Sequence, residues 1–318
     1  MILIFRSAQA RVAHSTSRLR RLGGVLLSGV LLSMSLQPAA VADHHRDAFA
    51  GQVIIITGTS SGLGRELAAI AIDRGMRLVL VDRDVAPSRA MAAAVVAAGG
   101  EAIFVEADLA EAQQRARITD AALQAYGRID YLFNNAGYSY LARLEQMDLA
   151  MAHHLFEVNY WAYVDLAQRV IPIMRAQGGG TIMNVSSILG VAPSPPGLGH
   201  YGATKHALVG MFQAAAQELA ADGIRVFVAA PAGMRTNIAR SSVGPLADSS
   251  RDRASDWEDP AIPAADIFEM ISGDDVLIYP GYIGRDRATG DADASAPTGN
   301  LGDTPTRNTD VPEQAVGY

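Results

Sequence analysis

Tyr201 and Lys205 stand four residues apart in the run YGATK, a spacing that on a helix puts both side chains on one side, one turn apart. Together they could move a proton. A free phenol titrates at about 10 and is a poor shuttle at neutral pH. A lysine ammonium nearby favours the phenolate and brings it toward the working range. The same spacing describes a surface pair equally well, so the rest of the sequence has to supply a site around it. It does so first at Gly58, Ser60, Ser61, Gly62, Leu63 and Gly64, in TGTSSGLG, which follows the apolar run VIII and precedes the helical run RELAAIAIDRG. Glycine is needed where a chain turns sharply and where backbone must approach a pyrophosphate at the amino end of a helix, whose free N–H groups and dipole favour anions. A glycine triplet alone says little. A strand before it and a helix after it make it a dinucleotide loop.

Asp82 closes the next apolar run, about twenty residues beyond the glycines. A carboxylate there accepts hydrogen bonds from both hydroxyls of an adenosine ribose and repels a 2′-phosphate. Ser61 adds no cation for such a phosphate, whereas Arg83 could swing toward one. NAD is therefore the expected cofactor, with NADP left open.

These groups need a scaffold to hold them. Short apolar runs at 53–56, 77–81, 102–106, 131–133, 181–185, 225–230 and 276–279 read as strands, most of them separated by alanine-rich helical stretches. Continuous runs such as VIII and LVLV suit a sheet covered on both faces. The alternation predicts an α/β fold, a single Rossmann-type, doubly wound parallel sheet with helices on both faces. Residues 51–283 form the expected catalytic domain, preceded by a linker at 43–50. Within it, the polar, proline-bearing stretch at about 240–263 reads as a mobile substrate loop, and residues 284–318, nearly free of large apolar side chains, read as a disordered tail.

Composition removes other classes. Of 318 residues, 49% are apolar, enough for a buried core. A net charge of -7 argues against nucleic acid as a partner. The absence of cysteine excludes disulfides and thiolate chemistry. His153 and His154 are adjacent and cannot share one helix side, so a solvated pair is expected and no metal site. Residues 1–42 differ from the rest: Arg6, Arg11, Arg18, Arg20 and Arg21 come before any acidic residue, an apolar stretch covers 22–36, and Ala40-Val41-Ala42 offers a cut before Asp43. This reads as an export signal, with Arg20-Arg21 permitting a twin-arginine route, and so as a protein of the cell envelope or periplasm. A membrane anchor and a cytoplasmic protein starting at Met34 are the competing readings.

In chain order the sequence carries TGTSSGLG, Asp82, Asp108-Leu109, Asn134-Asn135-Ala136-Gly137, Asn159, Ser186-Ser187, YGATK, and Pro231 with Thr236. In this the chain resembles the short-chain dehydrogenase/reductases, over about residues 51–237 and more loosely to Tyr279. The resemblance implies hydride transfer between NAD(H) and an alcohol/ketone pair. By it Tyr201 is the general acid/base, Lys205 tunes it and holds the nicotinamide ribose, Ser187 polarises the substrate carbonyl, and Asn159 holds a water that links Lys205 to solvent. It further implies that Asp108 contacts adenine, with Leu109 beside it, that Asn135, Ala136 and Gly137 line the cofactor cleft, and that Thr236, beyond Pro231, holds the carboxamide. Assembly as a homodimer or homotetramer, through the helices carrying Asn159 and Tyr201, is implied as well. One departure stands out: the family has Pro-Gly where this chain has Pro231-Ala232, with Gly233 a position later. An NADP-dependent carbonyl reductase and a catalytically silent nucleotide-binding regulator of the same fold are the alternative functions. The presence of Ser187, Tyr201 and Lys205 together favours the enzyme.

Overall fold

The computed structural model describes residues 48–238, 241–248 and 257–281. The expected signal or anchor at 1–42, the tail at 284–318 and the middle of the expected loop lie outside the described residues.

Strand β1 (Val53–Thr57) has every residue buried. Its β-branched side chains alternate between two cores, as the two-residue period of a strand requires. Ile54 and Ile56 pack with Leu67, Ala68 and Ala71 of helix α1 (Gly62–Asp73), while Val53 and Ile55 join the core on the other face. Strands β2 (Arg77–Asp82) and β3 (Ala102–Glu106) continue the sheet on one side of β1, with α2 (Val85–Ala97) between them. Helix α3 (Ala112–Tyr126) then leads to β4 (Tyr131–Asn134). Helix α4 (Leu149–Phe156), a π-helical turn (Glu157–Trp161) and α5 (Ala162–Gln177) follow as one continuous rod. After it come β5 (Gly180–Val185), α6 (Gly199–Leu219), β6 (Ile224–Ala229), α7 (Ala261–Met270) and the short β7 (Leu277–Ile278).

The sheet order is β3-β2-β1-β4-β5-β6-β7, and all its pairings are parallel. The order reverses between β1 and β4, which opens a crevice beyond the carboxyl ends of the strands, where ligands bind in such sheets. In-register pairing of Phe133 with Ile56 and with Met183 brings the ends of β1, β4 and β5 to one level. Below the crevice Asn134 donates to the Asn184 side-chain oxygen at 3.0 Å, and Asn184 donates to the Phe227 carbonyl at 3.3 Å. These bonds stitch β4, β5 and β6 where a slip would misplace the loops above.

Two boundaries differ from the sequence reading. The linker placed at 43–50 is too long, because Phe49 is buried against Tyr131 and Phe268, with ring centroids 5.7 and 5.8 Å away, under the Arg74 guanidinium. A single aromatic in a polar window is an anchor that local composition does not reveal. The loop placed at 240–263 is also cut short, since α7 begins at Ala261. Pro260 caps that helix and Pro263 sits in its first turn, where a missing N–H costs no intrahelical bond. Read as breakers, these prolines in fact start a helix. The described residues 241–248 are strapped to the chain after β4: Val243 N donates to Ser139 O at 3.0 Å, Leu141 N to Val243 O at 2.8 Å, and the Ser139 and Ser242 hydroxyls meet at 2.6 Å.

Candidate active site

The end of β5 and the start of α6 bring the expected proton-transfer groups together. Tyr201 and Lys205 share one face of α6 and both are buried. The Ser187 hydroxyl lies on the phenol side of Tyr201, where it favours the phenolate, and accepts a hydrogen bond from Leu189 N at 3.2 Å. Ser186 is the brace: its hydroxyl donates to the Lys205 carbonyl at 2.9 Å and pins α6 to the end of β5. The Lys205 ammonium donates to the Val185 carbonyl at 2.9 Å and lies 5.7 Å from the centre of the Tyr201 ring. Gly137 leaves room beside it, since a Cβ there would come within 3.8 Å of Lys205 Nζ and 3.0 Å of Asn159 Oδ1.

The electrostatics run against the simple expectation. Burial pushes the Tyr201 phenol up to about 12, with the Ser187 hydroxyl pulling the other way, and burial pushes Lys205 down to about 7. The sequence reading had an ammonium lowering the phenol. The same dry pocket weakens that ammonium, because low dielectric disfavours both charged forms.

Asn159 sits in the π-helical turn, fully buried. Its amide is spent on Tyr138, accepting from the backbone N at 3.1 Å and donating to the carbonyl at 2.9 Å, and it also reaches Thr204 Oγ1 at 3.3 Å. Here the side chain clamps a bend, where the wider i→i+5 turn rearranges the backbone.

The cofactor cleft is built around β1. Gly58 has φ 79° and Gly62 φ 55°, conformations that favour glycine. A Cβ on Gly64 would run into the Gly58 carbonyl oxygen, and one on Gly62 would come within 2.8 Å of Thr236. Thr236 therefore stands directly over the loop, on the far wall. No side chain caps the first turn of α1, which leaves its N–H groups free for an anion. Asp82 accepts from Ser60 N at 2.7 Å through one carboxylate oxygen and from Asp84 N at 2.9 Å through the other. Arg83 points to Asp108, with 3.9 Å between charged atoms, and Asp108 accepts from Ala110 N at 2.9 Å. Pro231 contributes its carbonyl, which accepts from Ile188 N at 2.8 Å and ties this wall to the Ser187 turn.

Three of the expected cofactor residues also make contacts within the protein itself. Leu63 and Leu109 are buried in the two cores. Asn135 spends its amide on the Thr57 carbonyl at 2.8 Å, while Asn135 N and Ala136 N both donate to Thr57 Oγ1, at 2.9 and 3.0 Å. Asn135 is thus a strut between the loops, with Ala136 backbone beside it. The shifted glycine also has a cause. A Cβ on Gly233 would press on the Trp257 indole at 3.1 Å, and its carbonyl accepts from Glu258 N, so the glycine follows the tryptophan that packs there. His154 Nδ1 pairs with the Tyr138 hydroxyl at 2.8 Å, and no cluster of metal-ligating side chains occurs among the described residues.

The family described as short chain dehydrogenase matches residues 52–245, more than half of the chain. The chain belongs to this family. Among the curated relatives of this short-chain dehydrogenase, the 2,5-dichloro-2,5-cyclohexadiene-1,4-diol dehydrogenase LinX of Sphingobium indicum is 34% identical over 189 residues, 59% of this chain and 75% of that one. Dehydrogenase/reductase SDR family member 7B of Mus musculus is 32% identical over 228 residues, 69% of this chain and 70% of that one. A solved short chain dehydrogenase/reductase from Burkholderia phymatum, in complex with NAD, superimposes with TM-score 0.67 at 30% identity, covering 73% of this chain and 89% of that one. The protein is accordingly an oxidoreductase, of a family that acts on CH–OH groups.

In this short-chain dehydrogenase the sequence reading missed Thr57, Tyr163 and Arg115. Thr57 carried a signal, standing between a buried strand and the first glycine. Arg115 did not: it is buried on α3 and bonds Glu157 at 2.8 Å, Asp165 at 2.5 Å and the Leu109 carbonyl at 2.6 Å, holding the π-helical turn to the loop after β3. Tyr163 is fully buried, its ring centre 5.6 Å from Lys205 Nζ.

Proposed function

We propose that this short-chain dehydrogenase moves a hydride between NAD(H) and a secondary alcohol/ketone pair, with Tyr201 as acid/base, Ser187 and Lys205 beside it and Asn159 setting the bend that faces them. The observation that carries this is the convergence of Ser187, Tyr201 and Lys205, with Lys205 Nζ 5.7 Å from the centre of the tyrosine ring, at the carboxyl end of β5 and next to the sheet's switch point. The cleft suits a dinucleotide: Gly62 and Gly64 leave space that a Cβ would fill, and α1 presents an uncapped amino end. When bound, the nicotinamide accepts or gives up the hydride and its positive charge favours the phenolate.

The chain's own residues then handle the proton. In oxidation the alcohol O–H gives its proton to the Tyr201 oxygen while the C–H pair of electrons leaves as hydride; reduction reverses both. Ser187 donates to the substrate oxygen and fixes it near the phenol. Lys205, while charged, stabilises the phenolate and offers its remaining N–H groups to the nicotinamide ribose. Asp82 keeps lone pairs for the adenosine ribose after taking one backbone N–H on each oxygen, and Arg83 is drawn toward Asp108, which favours NAD over NADP. The exposed Trp161 and Met211, on the rod carrying Asn159 and on α6, support assembly as a homodimer or homotetramer. Export to the cell envelope through residues 1–42 is part of the same proposal, tested by sequencing the amino terminus of the fractionated protein.

Turnover of the purified protein with NAD and with NADP against sterols, sugars and aliphatic alcohols is the direct test. Tyr201→Phe is expected to lower turnover at least about a hundredfold while NAD still binds. Retained activity in that variant refutes the mechanism. A wild-type preference for NADP reverses the reading of Asp82, and NAD binding without turnover on any substrate identifies a silent regulator.

A further inference from the structure

Lys205 is the single lysine in the chain; the other 25 of its 26 basic side chains are arginine. Arginine stays charged at any working pH, so this is the one cationic side chain outside the histidines that can lose its charge. Its ammonium is buried, and its bond to the Val185 carbonyl satisfies one N–H. The second contact is an aromatic face. Lys205 Nζ lies 5.6 Å from the centre of the Tyr163 ring, within the range of a cation–π attraction. Tyr163 is fully buried on α5, four residues beyond Asn159 and so on the same side of the rod. Its hydroxyl donates to the Ala136 carbonyl at 3.1 Å, which locks the ring's orientation and joins it to the loop that lines the cleft.

From this geometry we infer that Tyr163 is a positioning residue that keeps Lys205 charged. The inference rests on the proposed role of Lys205 as the group that tunes Tyr201. Burial lowers Lys205 toward neutrality, and without a counterweight the amine would lose its effect on the phenol. The negative face of a buried ring is such a counterweight, and a desolvated one is stronger than an exposed one. Burial also holds the Tyr163 phenol well above its ordinary range, so its ring stays neutral while Lys205 titrates. The groups around Lys205 are few: Tyr201 on its own helix, Tyr163 on α5, the uncharged Val185 carbonyl on β5, and Gly137 with the Asn159 amide from the loop and the π-helical turn.

A lone lysine makes the test clean. Full-length protein labelled with ε-13C lysine gives one side-chain resonance, and its pH titration reads Lys205 directly, with or without turnover. Tyr163→Phe keeps the ring and is expected to leave the midpoint in place. Tyr163→Leu is expected to lower it by about one pH unit, a tenfold change in the ratio of charged to neutral amine. A trifluorinated phenylalanine placed at 163 by stop-codon suppression keeps the ring's shape while draining its face, and is expected to move the midpoint the same way even if the leucine variant does not fold. The inference is overturned if the fluorinated ring titrates with the wild type, or if Tyr163→Phe moves the midpoint as far, which would assign the effect to the hydroxyl. In active enzyme the rise of alcohol oxidation with pH should move upward in the variants that lower Lys205. An enzyme inactive on every alcohol would remove the proposed function and leave the titration to decide the role of Tyr163.

Discussion

Replacing Lys205 by methionine should abolish turnover and at the same time stabilise the fold, by an amount that depends on pH. In the unfolded chain a lysine titrates at about 10.4. In the folded protein burial takes Lys205 down to about 7. Between those values the unfolded state binds more protons than the native one, so stability rises with pH across that window, and below about 7 the whole penalty is present. At about 1.4 kcal/mol per pH unit it comes to about 4 to 5 kcal/mol at pH 6 and about 2 kcal/mol at pH 9. Methionine fills similar length without a charge but leaves the Val185 carbonyl without its donor, which costs about 1 kcal/mol. Lys205→Met should therefore gain about 3 kcal/mol at pH 6 and only about 1 kcal/mol at pH 9. Urea unfolding of both proteins at the two pH values measures this. Every other titratable group is common to both proteins, and no second lysine confuses the difference. If the two proteins show the same dependence on pH, Lys205 is not held in a site hostile to its charge, and the account of the proton-transfer pocket fails with it.

The cofactor loop makes two further predictions. Asp82→Ala should weaken NAD binding and relax the rejection of NADP. Because the carboxylate also accepts from Ser60 and Asp84 backbone, it should lower the melting temperature by a few degrees, about 1 kcal/mol for the lost bonds; unchanged discrimination would move the choice to Arg83. Gly64→Ala drives a methyl group toward the Gly58 carbonyl and within 2.5 Å of Asn135 Nδ2, so it should cost about 1 to 3 kcal/mol in urea and weaken NAD at least tenfold by calorimetry. A variant that binds NAD like the wild type would show that the loop does not need this close approach.

Much of the scaffold was legible because its constraints act over short windows. A run such as VIII followed by Thr57 and Gly58 says in six residues that a buried strand ends and the chain turns, and the structure agrees from Val53 to Thr57. Asp82 was legible for the same reason, as the last residue of a buried run. Phe49 and Pro263 were misread because their meaning depends on partners far along the chain. Nothing near Phe49 announces Phe268, and a proline looks the same to a local reading whether it breaks a helix or occupies its first turn.

The site shows the same division within one stretch of chain. Asn159 was picked out by its place in the family's pattern, and the role implied for it was contact with a water. Folded, its amide holds the Tyr138 backbone, while Tyr163, one turn further on, faces Lys205. The charge states were harder still to read, because they depend on how much water reaches α6. In water a lysine one turn from a tyrosine keeps its charge and eases the phenol's ionisation; under β5 burial disfavours both charged forms. Spacing identifies which residues can exchange a proton. The packing around them, including the ring of Tyr163 and the carbonyl of Val185, decides at what pH they do so.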